Sequence, residues 1–241
     1  MKTVLVTGAT RGIGLACVVR LLARGLRVLA LGRDFTRLAP VIDAHGDRCI
    51  AVPFDLRRVG EIAVLLRTYP RVDVLVNNAA MLTAQPFETY SVVERRDLLA
   101  VNLEAPAELA RVLLPAMLAQ PVDAQGVRGR IVNVASVAAF GGHPDIWYGA
   151  SKGALVNLTK SLAQAYGRQG ILVNACAPGP TRTDMFDRLP ESRIREFEAR
   201  VLAGRFAEPD EVAQVIEWLA LDAPPYVNGA TIDVTSGAYL R

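Results

Sequence analysis

Seven short runs rich in Val, Ile and Leu recur along the chain, separated by longer stretches of helical period. Val4-Val6, Arg27-Leu31, Cys49-Pro53, Val72-Val76, Arg130-Ala135, Ile171-Cys176 and Ala230-Val234 read as strands. Most are apolar at successive positions, not alternating ones, which is the pattern of strands covered on both faces. The helical stretches fall at Gly12-Arg24, Phe35-Ala44, Val59-Thr68, Val92-Gln120, Trp147-Arg168, Pro190-Ala203 and Pro209-Leu221. Glu208-Pro209-Asp210-Glu211 places Pro and acids in a first turn, a good helix start. Pro106 and Pro115 are expected to bend or divide the long middle helix. Strand–helix alternation at this spacing predicts an α/β fold, a doubly wound parallel sheet of about seven strands with right-handed crossovers and helices on both faces. No repeat, low-complexity tract or linker interrupts the pattern, so residues 1–241 are expected to form one domain.

Composition excludes several functions. Of the 241 residues 51% are apolar and 21% charged, which is too apolar for disorder. The net charge of +3 is scattered, with Arg57-Arg58 and Arg95-Arg96 the longest basic runs, so neither nucleic acid nor an anionic membrane is the expected partner. Three distant cysteines, Cys17, Cys49 and Cys176, form no disulfide framework and read as small core residues in a reducing compartment. Two histidines, His45 and His143, cannot build a multi-histidine metal site, and none is expected. Met1-Lys2-Thr3 runs straight into a strand, leaving no room for a signal peptide, and no apolar stretch is long enough to span a bilayer. A cytoplasmic location is expected.

Two clusters carry chemistry. After the first strand comes Thr7-Gly8-Ala9-Thr10-Arg11-Gly12-Ile13-Gly14. Gly8 permits a tight turn, Gly12 a close backbone approach to a pyrophosphate, and Gly14 packing of helix on strand, with phosphates at the positive end of that helix. Lying between a strand and an amphipathic helix, this turn predicts dinucleotide binding. The second cluster is Tyr148 and Lys152, four apart on a predicted helix and so on one face. With 6 Tyr in the chain and Lys only at positions 2, 152 and 160, roughly 0.07 such pairs are expected by chance. Ser136 closes the fifth strand, at the carboxyl edge where open α/β sheets bind ligands. A phenol titrates near pH 10, so a neighbouring ammonium is expected to lower the Tyr148 pKa toward neutrality.

The chain resembles the short-chain dehydrogenase/reductase family over nearly its whole length. The family turn T-G-x-x-x-G-I-G is matched at Thr7–Gly14, and Ser136, Tyr148 and Lys152 match its catalytic order, with Asn102 of Val101-Asn102 as fourth member. The resemblance implies a Rossmann-like fold. It also implies cofactor contacts from Gly8, Thr10, Arg11, Gly12, Ile13, Gly14, Asp55, Leu56, Asn78, Ala79, Ala80, Tyr148, Lys152, Pro178, Gly179, Thr181 and Thr183. Asp55 would contact adenine, Lys152 would hold the nicotinamide ribose, and Asn102 would anchor a water relaying protons to Lys152. Ala80 replaces the usual Gly, and Thr235-Ser236-Gly237 stands where many members have Asp-Gly-Gly.

Counting along the family pattern, the carboxylate that accepts hydrogen bonds from the NAD ribose falls on Gly32, followed by Arg33. Arg33 and Arg11 suit a 2′-phosphate, so NADP(H) is favoured over NAD(H); a shift of one or two residues would instead make Asp34 the ribose acceptor. The substrate lining is expected from Val137-Ala138-Ala139-Phe140-Gly141-Gly142-His143, Ile146-Trp147, Met185-Phe186 and Leu189, an apolar set suiting an alkyl, acyl or cyclic ketone.

Within the family the chain most resembles 3-oxoacyl-acyl-carrier-protein reductases, although Gln169 and Val127 replace two arginines that dock the carrier protein there. A ketoreductase or alcohol dehydrogenase of small-molecule substrates is expected, as a homotetramer or homodimer built on the middle helix, the Trp147-Arg168 helix and the last strand. The alternatives are an NAD-dependent secondary or cyclic alcohol dehydrogenase and, more distantly, a non-catalytic NADPH-binding regulator, which should have lost Tyr148 or Lys152. A nucleotide-sugar epimerase is disfavoured because no substrate domain follows Thr235.

Overall fold

The computed structural model of the protein describes residues 1–184 and 191–240. Strands β1 (Thr3–Thr7), β2 (Arg27–Gly32), β3 (Cys49–Pro53), β4 (Val74–Asn77), β5 (Gly129–Val134), β6 (Ile171–Pro178) and β7 (Thr231–Val234) form one sheet in the order β3-β2-β1-β4-β5-β6-β7. Every pairing is parallel, with Leu5 of β1 opposite Leu29 of β2 on one side and Leu75 of β4 on the other. Strand order reverses between β1 and β4, so a crevice opens beyond their carboxyl ends, and there both predicted clusters converge.

The helices are α1 (Gly12–Ala23), α2 (Ala39–His45), α3 (Ile62–Leu66), α4 (Val92–Leu99), α5 (Ala105–Leu118), α6 (Ile146–Tyr166), α7 (Glu191–Arg200) and α8 (Pro209–Leu221). They cover both sheet faces. Val4 and Val6 of β1 pack with Cys17, Leu21 and Leu22 of α1 and Val212, Ile216 and Leu219 of α8. Leu5, pointing the other way, packs with Ile62 and Leu66 of α3 and Leu109, Leu113 and Met117 of α5. Each such fully buried aliphatic side chain stabilises the fold by about 1.5–3 kcal/mol. The three cysteines are free and buried, and burial pushes their thiols up, that of Cys176 to about 12. Among the described residues no helix is long and apolar enough to cross a membrane.

Three expected boundaries move. The helix expected from Phe35 starts at Ala39, because Asp34 accepts hydrogen bonds from the amide and hydroxyl of Thr36 and holds a turn there. Pro40 then occupies the first helical turn, where a missing N–H costs nothing. The expected Val59–Thr68 helix is a 3-10 turn, Val59–Glu61, followed by the short α3. The long middle helix is divided, but neither proline divides it. A π-helical turn at Ala100–Glu104 separates α4 from α5, Pro106 lies in the first turn of α5, and Pro115 stays within it. The Pro190–Ala203 expectation is met by α7 over Glu191–Arg200; Val201–Ala203 fall in the turn after it, and Pro190 lies outside the described residues.

Candidate active site

The glycine turn joins β1 to α1 in the conformation its sequence requires. Gly8 and Gly12 have φ of +62° and +52°, a region that disfavours any side chain. A Cβ on Gly14 would collide with the Gly8 carbonyl, so this third glycine sets how closely α1 approaches the turn. The N-cap of α1 is Arg11, which supplies no side-chain cap, and the first turn holds no acidic residue. Its amides and positive dipole end therefore suit a pyrophosphate.

Neighbouring loops lock onto this turn. Thr7 Oγ1 accepts from the amides of Asn78 and Ala79, both at 3.0 Å, and Asn78 Nδ2 donates to the Thr7 carbonyl at 2.9 Å. Ala80 follows, half-buried, so its methyl is accommodated. From the other side, Gly179 after Pro178 donates its amide to Val234 at 3.0 Å, and Thr181 forms an isolated bridge with Ala207. The loop then reaches the glycine turn, where a Cβ on Gly12 would stand 3.1 Å from Thr183 Cγ2. Asp184 pairs with Arg11 at 3.5 Å and with Arg37 at 2.8 Å. Ile13 is packed against the first core cluster, and Leu56 is buried in the second.

At the end of β2, Gly32 has no room for the carboxylate expected of an NAD-type ribose site, because its Cβ would lie 2.5 Å from Thr10 Cγ2. Asp34 is exposed and turned onto Thr36, and those hydrogen bonds hold its carboxyl below the usual range. Arg33 extends toward Asp55, at 4.0 Å, and Arg57 grips the same carboxylate at 2.9 Å.

Tyr148 and Lys152 lie one turn apart on α6 and are buried, as is Asn102. Ser136 follows β5; its Oγ accepts from the Ala138 amide at 3.2 Å and its side chain faces that of Tyr148. Lys152 Nζ donates to the Val134 carbonyl at the end of β5, 2.7 Å away, and burial pulls its pKa down to about 8. The expected lowering of the Tyr148 pKa is not found. Burial pushes it up, the Ser136 side chain lowers it only in part, and the Asp145 charge raises it further. The Lys152 ammonium stands 5.8 Å from the centroid of the phenol ring and is bonded to the Val134 carbonyl.

Asn102 sits in the π-helical turn, where the wider winding sets its amide against two elements. Its Oδ1 accepts from the Met81 amide at 2.7 Å, and its Nδ2 donates to the Met81 carbonyl at 2.9 Å and to Ser151 Oγ at 3.1 Å. Ser151 in turn donates to the Tyr148 carbonyl at 2.7 Å. All four predicted catalytic residues thus meet at one edge of the sheet.

Sequence reasoning missed Ser151, Asp145 and the wall formed by Met81 and Leu82. The last two pack with Tyr148, Ala138 and Leu98, and their only sequence signal is that they directly follow Asn78-Ala79-Ala80. Of the expected substrate lining, Ala138 and Trp147 join this cluster, while Phe140 stacks on Tyr239 with ring centroids 6.0 Å apart. Met185, Phe186 and Leu189 lie outside the described residues.

The fold and this constellation are those of a nicotinamide-dependent oxidoreductase, and comparison with known proteins agrees. The sequence profile of the family described as short chain dehydrogenase matches residues 2–194, and the chain belongs to that family. It is 33% identical to the meso-2,3-butanediol dehydrogenase of Serratia marcescens, over 98% of this chain and 94% of the relative. It is 34% identical to the 3-oxoacyl-[acyl-carrier-protein] reductase of Thermotoga maritima, over 98% and 97%. A crystal structure from Beutenbergia cavernae, provisionally assigned as an NAD(P) dependent gluconate 5-dehydrogenase and holding NADP at low occupancy, superposes with a TM-score of 0.89 at 38% identity, over 98% and 96%. The protein is an NAD(P)-dependent short-chain oxidoreductase acting on carbonyl or alcohol groups.

Proposed function

We propose that the protein is an NADPH-dependent ketoreductase that reduces a carbonyl on an apolar substrate, with Tyr148 as the acid. The observation that carries this reading is the convergence of Ser136, Tyr148 and Lys152 at the carboxyl edge of β5, beside a glycine turn flanked by Arg11 and Arg33. Glycine-turn amides would hold the pyrophosphate, Arg11 and Arg33 the 2′-phosphate, and Pro178, Gly179, Thr181 and Thr183 the nicotinamide side. A bound nicotinamide supplies the hydride. Tyr148 gives its proton to the carbonyl oxygen, and Ser136 donates a hydrogen bond to the same oxygen as negative charge develops there. Lys152, fixed by Val134, faces the phenol and the ribose position, and Asn102 keeps α6 and Met81 in register. Alcohol oxidation uses the same groups in reverse.

Met81, Leu82, Ala138 and Trp147 favour an alkyl or acyl ketone such as a short 3-oxoacyl thioester. A second reading is an NAD-dependent dehydrogenase of secondary or cyclic alcohols, and one observation turns the substrate away from a carrier protein. Gln169 and Val127 lack the charge that would dock a carrier protein, and the neighbouring Arg128 is bonded to the Leu118 and Gln120 carbonyls at the end of α5. We further infer one catalytic domain over the whole chain, assembled as a homotetramer or homodimer in the cytoplasm.

The test follows nicotinamide absorbance with NADPH and a short 3-oxoacyl thioester. Rapid oxidation, slower with NADH, supports the proposal. If only NAD with a secondary or cyclic alcohol turns over, the second reading stands.

A further inference from the structure

We propose that Asp145 is a positioning residue: one buried carboxylate that ties the substrate-side segment Met81–Ala84 to the start of the catalytic helix and holds a fixed negative charge beside Tyr148. The proposal rests on Tyr148 being the proton carrier.

Asp145 is the N-cap of α6 and only 2% exposed. A carboxylate there is costly unless its lone pairs are satisfied. Four donors satisfy them. Oδ1 accepts from the Tyr148 amide at 3.0 Å, while Oδ2 accepts from the Ala84 amide at 3.0 Å, the Tyr90 hydroxyl at 2.7 Å and the Thr83 hydroxyl at 3.3 Å. Thr83 and Tyr90 also stand in close contact with one another, but each has one hydroxyl hydrogen, and with both given to the carboxylate they share none. Burial opposes the charge, yet the bonds from Tyr90, Tyr148, Ala84 and Thr83 hold the carboxyl below its usual range. Among the described residues no salt bridge neutralises it, so the charge persists and is balanced by dipoles.

The segment it holds is anchored at both ends. Met81 is clasped through its amide and carbonyl by Asn102. Three residues on, Ala84 is left-handed, with φ of +56°, a conformation unfavourable for a non-glycine residue. The bond from its amide to Asp145 holds it there. Between the anchors, Met81 and Leu82 pack against Tyr148, so the same carboxylate positions the proton carrier and the wall beside it.

Other ionisable groups surround the pair. Lys152 lies on α6 itself. His143, on the preceding loop, accepts from the Asp145 amide and lies 5.2 Å from the Tyr148 ring. Tyr90 donates from the segment before α4; on α4, Glu94 is engaged with Ser91 and Arg95 lies over Trp147. Asp145 is the member of this group whose charge adds to burial in raising the Tyr148 pKa. Removing that charge should therefore let the phenol ionise at lower pH.

Asp145→Asn keeps an oxygen acceptor for the Tyr148 amide but removes the charge, and its new N–H groups oppose the donors on the 81–90 segment. In alcohol oxidation, activity rises as Tyr148 ionises, so the acidic limb of the kcat profile is expected to move down by about half a pH unit or more, with KM raised. The shift is expected to persist in a His143→Gln background; its loss there would assign the effect to the imidazole and overturn the proposal. Tyr90→Phe keeps the charge and loses one tether, so KM should rise several-fold while the limb stays in place. A folded Asp145→Asn protein with an unmoved limb overturns the proposal. If that variant does not fold, an unchanged KM in Tyr90→Phe overturns it instead. Tyr148→Phe separates the two layers: retained turnover removes the premise, whereas lost turnover with an unmoved Asp145→Asn limb removes only the role of Asp145.

Discussion

Thr10 fills the space that any side chain at position 32 would need, since a Cβ on Gly32 would stand 2.5 Å from Thr10 Cγ2. The glycine turn and the end of β2 are therefore matched to each other, and the match leaves no place for a carboxylate beside the adenosine ribose. The nearest acid in sequence, Asp34, is turned away onto Thr36.

Gly32→Asp is accordingly expected to lose about 1–3 kcal/mol of stability by overpacking and to gain no affinity for NADH. Adding Thr10→Ala should recover much of the stability. Thermal unfolding and NADH titration of both variants check this; tighter NADH binding by Gly32→Asp alone, at unchanged melting temperature, would contradict it.

If Arg11 and Arg33 hold the 2′-phosphate, truncating either removes a charge-assisted hydrogen bond worth roughly 1.5–3 kcal/mol. Arg33→Ala and Arg11→Ala should each weaken NADPH by about tenfold or more and leave NADH within about twofold. Calorimetric titration of each variant with both nucleotides decides the matter. Equal loss for both would move the arginines to the pyrophosphate.

Most of this fold is legible in sequence, for a physical reason. Strands buried on both faces read as unbroken apolar runs, and Glu208-Pro209-Asp210-Glu211 marks the start of α8, where the Glu211 side chain accepts from the Glu208 amide at 2.8 Å. The Tyr148–Lys152 pair is legible because a spacing of four puts both side chains on one face of α6. The π-helical turn is not, since nothing in Ala100–Glu104 announces an extra residue per turn; tertiary bonds from Asn102 to Met81 and Ser151 accompany it. The effect of Lys152 on Tyr148 is misjudged for a related reason. Spacing puts the two on one face, but only the fold shows the ammonium spent on Val134 and the phenol deep enough for burial to win. Asp145 is invisible for its range, since its partners Thr83, Ala84 and Tyr90 lie 55 to 62 residues away.

Lys152 costs stability because its ammonium is buried. Burial lowers its folded pKa to about 8, below the 10.5 of a free lysine. Between those values the unfolded chain binds the proton that the folded one has released, so this group makes stability rise with pH, while below about 8 it imposes a constant cost. The cost is about 3 kcal/mol, reduced in a variant by the Val134 carbonyl left unpaired. Lys152→Met should therefore be inactive yet at least as stable as the parent at pH 7, and lose that advantage as pH rises from about 8 to 10. Denaturant unfolding at both pH values tests it, and a difference independent of pH would contradict it.

The central claim is that Tyr148 carries the proton, and Tyr148→Phe tests it most directly, because a ring of nearly the same size stays in the same buried place. NADPH binding by fluorescence and NADPH oxidation with a ketone that the parent reduces would be measured on one preparation. The account predicts unchanged nucleotide affinity with turnover lower by at least about 10²-fold. Turnover within a few-fold of the parent would contradict it and pass the proton to another group, such as His143, whose ring lies 5.2 Å from that of Tyr148.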